Sequence, residues 1–538
     1  MDSWIYPAVL RLYSMGYVDH VYVGMRPWTR ASVAHMLEGI GAEIEDADNH
    51  GDPTAIEAQN LLEAAARQLN YDSQRSCLSL EANLHTESVY SAARAISGAP
   101  LRDSYHLGSS IINDYGRPYA NGLSNYSGTS GYAVAGRFLF YARGEFQGTP
   151  SDTGYSSALA EDLADLDVGY YPVAINPTTG IAYKQSTIPA GPIAAITRAR
   201  IIEAYVSTHL LDHEISFGKQ DNWLGPGLGG GMAYSNNAEN IYSFRINRIE
   251  PLRIPGLSRY TGPFRYDFLV GPLKGHTYPH VPWVHIEQIS FRPTTNLEFG
   301  FERTVIWGGK GHVPITVGTF LRSFFSLTAP TLAVKTSRQD PGARFGAFNF
   351  SYRLPFVRNW LTIYSDSEVH DDLSPIAAPR RASWRPGLYL SHTPGIPKLD
   401  LRAEAVSTDP PVSNSLDGKF MYYEYIQQQG YTNDGQLFGD WVGREGKGGQ
   451  AWITYHLSGN EWLQAGLRNQ KVAKDFIPGG TTLNEVNFQA VKRIGKDFEV
   501  NGNVALERYR APVYASGTKT VTSTTVQLTW FPQRKPGF

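Results

Sequence analysis

Beyond about Leu78 the chain alternates apolar and polar residues with a period of two, and it keeps this up for most of its remaining length. Only a β-strand sends successive side chains to opposite faces, so each such run describes a strand with two different faces. In Phe498 to Leu506, one set is Phe498, Val500, Gly502, Val504 and Leu506, and the other is Glu499, Asn501, Asn503 and Ala505. Leu297, Phe299 and Phe301 alternate with Glu298, Gly300 and Glu302, and Leu399, Leu401, Ala403 and Ala405 with Asp400, Arg402 and Glu404. The last run, Thr522 to Phe531, sets Val526, Leu528 and Trp530 against Thr525, Gln527 and Thr529.

A soluble sandwich also alternates. About sixteen to eighteen such segments with no helices between them are instead what a closed membrane barrel needs, apolar outside and polar in the lumen. Charged residues are 18% of the chain, against roughly 25% in soluble proteins. Aromatics are 12%, with 32 Tyr and 53 Gly, which suits aromatic girdles at the two membrane interfaces. Mean hydropathy is −0.31, and no apolar run approaches the ~18 residues of a spanning helix, which excludes a helical membrane protein. The expected fold is therefore mainly β, a large antiparallel transmembrane β-barrel of about 18 strands. The segments include 131–147, 199–218, 419–427 and 522–531, while 78–130 gives no clear strand boundaries. Long polar loops such as Thr149 to Pro192, Leu252 to Pro263 and Pro314 to Gln339 are expected on the outside of the cell, with short turns facing the periplasm.

Residues 1–77 read differently, as an N-terminal helical bundle on the periplasmic side of a barrel spanning 78–538. Tyr6, Val9, Leu10, Leu12, Tyr13 and Met15 share a helix face, and Gly16 can end that helix in a left-handed cap. Thr29 is an N-cap for a helix from Arg30 to Ile40, and Asp52-Pro53 open another from Thr54 to Leu69.

The stretch Trp223-Leu224-Gly225-Pro226-Gly227, followed by Ser235-Asn236-Asn237-Ala238, resembles the signature of the Wzi family of capsule-assembly outer-membrane proteins. A second run, Glu302 to His312 with Arg303 and Trp307, is similar to that family as well. The resemblance implies an eighteen-stranded barrel with a small periplasmic helical bundle, acting as a non-catalytic lectin that retains exported capsular or surface polysaccharide. It also implies outer-membrane lipid as a neighbour. The order Trp4, Leu12, Gly16, Arg26-Pro27-Trp28-Thr29-Arg30, Leu37 resembles an S-layer-homology unit, so peptidoglycan or periplasmic export machinery are candidate partners of the helices. A saccharide porin is the alternative, because a wide barrel with a charged lumen also serves passage. The start Met1-Asp2-Ser3-Trp4 has no charged and apolar leader pattern, so an outer-membrane chain is expected to have lost a signal peptide or to carry one upstream.

Trp223 and the Ser235, Asn236 and Asn237 side chains could meet a sugar, whose C–H face stacks on indole and whose hydroxyls bond to amides. The same residues, with Gly225, Pro226 and Gly227, could instead pin an inward-folded loop. Gly225 to Gly231 lacks the Lys-Ser/Thr of a phosphate-cradling loop. Glu298, Glu302, Glu404, Glu499 and Glu507 are expected to pair with lumen arginines such as Arg303, Arg402 and Arg508 rather than to form a glycosidase dyad. His276, His280 and His285 are separated by two prolines and read as structural, and the acidic Glu161 to Asp167 run lacks the spacing of a calcium loop. No Gly-x-Ser-x-Gly elbow occurs. The single Cys77 permits no intrachain disulfide and no cysteine metal site, and a net charge of −2 offers no field for nucleic acid. No catalytic residue, metal or cofactor is expected.

Overall fold

The computed structural model describes residues 3–69, 82–168, 187, 190–327, 330–412, 417–424 and 426–532. Cys77, the 77/78 boundary and Phe538 lie outside the described residues. Eighteen antiparallel strands close into one barrel. In chain order they are β1 Ala82–Ser97, β2 Gly122–Ala135, β3 Phe138–Thr149, β4 Ile196–Leu210, β5 His213–Lys219 and β6 Tyr242–Arg248. Next come β7 Phe264–Pro272, β8 Trp283–Phe291, β9 Leu297–Trp307, β10 Ala343–Arg353, β11 Leu361–His370 and β12 Ser383–Leu390. The last six are β13 Leu399–Ser407, β14 Gly446–Ser458, β15 Glu461–Val472, β16 Thr481–Ile494, β17 Phe498–Ala511 and β18 Ala515–Trp530. Each strand pairs with its sequence neighbours, and β1 closes the ring against β18 from Val89↔Trp530 to Ser97↔Thr522. Closure leaves no unpaired strand edge, the condition for a sheet to sit in hydrocarbon.

The alternation becomes inside and outside. Phe498, Val504, Leu506, Val526, Leu528 and Trp530 are exposed on the wall, whereas Glu298, Glu302, Asp400, Glu404 and Glu507 are buried in the lumen. Two expected single strands are hairpins: 131–147 contains the Gly136-Arg137 turn, and 199–218 contains Leu211-Asp212. Leu211 and Asp212 both have positive φ, 50° and 61°, a conformation usually signalled by Asn or Gly. The loop from Leu252 to Pro263, expected outside because it is long, lies at the short-turn end, where β6 finishes. The described residues of 419–427, expected as a strand, are a 3₁₀ turn and loop inside the lumen, because Tyr422 and Tyr423 are buried by other loops rather than paired in the wall.

Four N-terminal helices, α1 Ile5–Met15, α2 Arg30–Met36, α3 Ile40–Asn49 and α4 Ala55–Leu69, sit at the short-turn end. Gly16 ends α1 with φ 93°, and the Thr29 side chain accepts from Ser32 N–H at the start of α2. The expected helix from Arg30 to Ile40 is split, since Gly39 adopts φ 80° and starts α3 afresh. Val9, Leu12, Val18, Ala58 and Ala65 are fully buried in one core, and each large aliphatic among them contributes about 1.5–3 kcal/mol. The bundle is tied to the wall: Arg353 donates to the carbonyl of Tyr13 at 2.8 Å and lies 4.3 Å over its ring, and Arg11 donates to the carbonyl of Pro397 at 2.7 Å.

Candidate functional site

Three inter-strand segments, 98–121, 220–241 and the described residues of 408–445, turn inward and fill the lumen at the long-loop end. Almost every residue from Gln220 to Ile241 is buried. The centre of this plug is the Trp223 to Asn237 run. Trp223-Leu224 pairs antiparallel with Met25-Arg26, so the N-terminal segment reaches up the lumen to meet it. The Arg26 guanidinium donates to the carbonyls of Gly225 and Gly227, the latter at 2.6 Å, and lies 5.5 Å over the Trp223 ring. The Trp223 indole N–H donates back to Gly227 O at 3.0 Å. A β-carbon on Gly230 would strike Asp440 and Arg385, which is why the chain here is glycine.

The wall holds the other side. Glu404, on β13, accepts from Leu228 N–H at 3.0 Å, Gly229 N–H at 3.1 Å and Tyr364 O–H at 2.7 Å. Arg385, on β12, donates to Glu404 at 2.7 and 3.0 Å, to Asp440 at 2.7 Å and to Gln450 at 2.9 Å. Asp366 accepts from Met232 N–H at 2.7 Å. Ser235 Oγ donates to Gly439 O at 2.6 Å, Asn237 Nδ2 donates to Leu437 O at 3.1 Å, and the Asn236 carbonyl accepts from Tyr115 N–H at 2.7 Å. Trp223, Ser235, Asn236 and Asn237 are 3%, 0%, 3% and 5% exposed. Their side chains face protein.

Arg303 and Trp307 are not part of this cluster. Both stand at the long-loop end of β9 on the outer side of the wall, under a short amphipathic helix, α5 Val317–Phe324. Arg303 donates to the carbonyls of Ser323 at 2.9 Å, Phe324 and Ser326, closing the helix C-terminus with a cation. Trp307 packs 5.8 Å from Phe320, and His285 Nε2 meets Ser323 Oγ at 2.8 Å. Arg303 is therefore not a lumen partner, and Arg508 is exposed on the outer wall. Strand parity decides both: each shares a face with apolar wall residues. Arg402 is in the lumen as expected, over Tyr389 at 4.1 Å. The lumen carboxylates are engaged as well, Glu298 by the N–H groups of Val23 and Gly24, and Glu507 by Arg468 and Ser110. His276 is buried with Nε2 on Thr432 O at 2.9 Å.

A second knot lies in the loops themselves. His106 bonds through Nδ1 to Asp103 at 2.9 Å and through Nε2 to Asp167 at 2.7 Å, and Arg444 donates to Asp167 at 2.6 Å while lying 4.4 Å over Tyr105. Burial alone pulls the imidazole down, but the two carboxylates outweigh it and push His106 up from 6.5 to about 9. Burial raises Asp167, and Arg444 with His106 overcomes this and holds it down from 3.8 to about 2. The His106 contribution is fully present below pH 6.5 and lost as pH rises through about 9; that of Asp167 is present above 3.8 and lost as pH falls through about 2. Hydrogen exchange of the amides from Asp103 to Ser110, referenced to intrinsic rates, should show greatest protection between about pH 4 and 6.5 and a decline above pH 8. Protection rising through pH 9 contradicts this. Nothing in the sequence marked Arg26, Arg385, Asp440 or His106 for these roles, since apart from the local Asp103–His106 pair the partners lie in other segments.

The fold and the plug define a class: an outer-membrane β-barrel whose lumen is filled by its own inward loops. The chain belongs to the Capsule assembly protein Wzi family, whose model matches residues 92–523. It is similar to the solved Wzi of Escherichia coli, described as an outer-membrane protein involved in group 1 capsule assembly and a carbohydrate-binding β-barrel, with TM-score 0.66 and 16% identity over 98% of both chains. An uncharacterized 55.8 kDa protein in the cps region of Klebsiella pneumoniae is 24% identical over 173 residues, 32% of this chain and 33% of that one. The matched region thus spans about a third of that relative's length. Pseudomonas aeruginosa OccK5 (OpdH) matches with TM-score 0.41 and 9% identity over 85% of this chain and 99% of that one.

Proposed function

We propose that this protein binds exported capsular or surface polysaccharide and retains it at the cell surface without catalysing a reaction. The observation that carries the reading is the plug: loops from three parts of the chain close the lumen through buried ion pairs, which suits a binding scaffold better than a conduit. Membership of the capsule-assembly family and the carbohydrate binding described for the E. coli relative support it. Polymer contacts fall to the outer loops, where many weak contacts along one repeating chain sum by avidity. In this reading the Trp223 to Asn237 run holds the platform, Arg303 and Trp307 hold its outer helix, and the 1–77 helices form the periplasmic cap of the 78–538 barrel. The S-layer-like order of Trp4 to Leu37 is accounted for by that cap, because Trp28 and Leu37 belong to the bundle core; wall-polymer contact is a separate role for its exposed face.

The test is retention of the source strain's purified surface polysaccharide by the full-length protein in detergent, alongside single-channel conductance in a planar bilayer. Retention with negligible conductance is the expected result. Steady conductance blocked by short saccharides, with no retention, makes the protein a porin. Trp223→Ala should leave heat-modifiable barrel migration intact, speed exchange of the Gly225 to Gly231 amides and weaken retention about tenfold or less, because it acts through loop position. Abolished retention with unchanged exchange makes Trp223 a direct sugar contact instead.

A further inference from the structure

The N-terminal helices fill the short-turn end of the lumen unevenly. Against β7 to β13 the inward side chains at this level are buried, among them Arg265, Ser290, Glu298, Ser351, Tyr389 and Asp400. Across β14 to β18 they are half-exposed instead: Trp452, Trp462, Gln464, Gln489, Asn501, Asn503, Thr525 and Gln527. The pairing registers set them in two rows that cross four strands each. One is Gln464, Gln489, Asn503, Thr525, and the row nearer the turns is Trp462, Val491, Asn501, Gln527. At about 4.8 Å between strands, each row is roughly 14 Å long, enough for more than one sugar ring. The plug roofs the groove where Arg468 donates to the Ser109 and Ser110 carbonyls. At its β14 end the groove opens into a cavity of about 250 Å³ between α1, α4 and the wall, with Trp4, Trp452 and Trp462 in its lining.

Chemistry narrows what fits. The rows carry no charge, and the ionised groups beside them are already paired: Arg493 with Glu499 at 2.7 Å in the next row, and, in the cavity lining, Arg402 with Glu404 at 3.9 Å and Asp400 with His456 Nε2 at 2.7 Å and Tyr389 O–H at 3.2 Å. Gln464 spends one amide N–H on Thr454 at 2.9 Å, Gln489 one on Asn501 at 3.1 Å and Gln527 one on Thr529 at 3.0 Å. A carboxamide has two such donors, so each keeps one for a ligand. Neutral carboxamides and hydroxyls beside indole faces match the hydroxyl rim and C–H face of a sugar, and the rows bring no cation to neutralise a phosphate.

We propose that this groove is a saccharide-binding subsite at the periplasmic end of the barrel, taking a neutral stretch of glycan with one ring in the tryptophan-lined cavity and the next along the amide rows. The inference rests on the polysaccharide-binding reading and adds a second site, at the opposite end from the outer loops. The test uses fluorescein end-labelled oligosaccharides cut from the source strain's surface polysaccharide, titrated against the full-length protein in detergent. Gln489→Leu/Asn503→Leu should weaken binding at least tenfold with heat-modifiable migration unchanged, and Trp452→Phe, which keeps a ring, should weaken it less than Trp452→Ala. Because no ion pair is involved, affinity should be the same at about 50 mM and about 500 mM salt, a range over which screening would weaken a charge-based site. Binding that survives the double substitution, or falls steeply with salt, overturns the groove and leaves the polysaccharide reading standing. Failure of the unaltered protein to bind either oligosaccharide or polymer overturns both.

Discussion

Arg385→Ala is expected to detach the plug from the barrel wall and to turn a closed barrel into a conducting one. Arg385 is 1% exposed, and its donors are committed to Glu404, Asp440 and Gln450. Removing the guanidinium leaves buried Asp440 without its ion-pair partner and Glu404 with only Arg402, 3.9 Å away, a loss of about 3–5 kcal/mol. Glu404 also holds Leu228 and Gly229, so the damage passes directly into the glycine run. The barrel itself should persist, because its ladder is closed through backbone pairing. The expected result is native heat-modifiable migration with single-channel conductance well above the unaltered protein. Arg385→Lys keeps the charge but cannot bridge Glu404, Asp440 and Gln450 together, and should fall between the two. If Arg385→Ala conducts no more than the unaltered protein, the plug is held by something other than this hub.

The second large effect is at Arg26. Its guanidinium is fully buried and donates to two plug carbonyls, with no carboxylate among its hydrogen-bond partners. Burial pulls its pKa down from 12.5 to about 10, still charged at neutral pH. A hydrogen bond to a charged group is worth about 1.5–3 kcal/mol, and Arg26→Ala also takes its donor from the Gly225 carbonyl and leaves Gly227 O with the Trp223 indole N–H. Loss of about 3 kcal/mol of local stability corresponds to amide exchange on the order of a hundredfold faster from Gly225 to Gly231. Exchange in the helical bundle should hardly change, since Arg26 is not among its core residues. Equal acceleration in both regions indicates instead that bundle and plug open as one unit.

Much of the wall was legible in the sequence, and the reason is local. Which face Glu298 or Phe301 takes follows from strand parity alone, and the structure places them in the lumen and on the wall as the alternation predicts. The caps at Gly16 and Thr29 are likewise local, each decided within four residues. Legibility failed where the local signal was atypical. Leu211-Asp212 makes a hairpin turn without glycine or asparagine, and the length of the Leu252 to Pro263 loop was a false guide to its side of the membrane. It failed again at 419–427, where aromatic residues that read as a wall strand are buried by the plug.

By itself, then, the sequence determined a closed, two-faced barrel with a helical cap, because side-chain direction and helix capping depend on neighbours a few positions away. Only the tertiary structure decided what the polar residues do. Arg26 meets Gly225 and Gly227 across 199 and 201 positions, Arg385 meets Asp440 across 55, and Arg303 lies under a helix outside the wall rather than in the lumen. Such partners are chosen by ring closure and by the inward fold of three loops, and no pattern within one strand or loop encodes which distant carbonyl or carboxylate will be brought within reach.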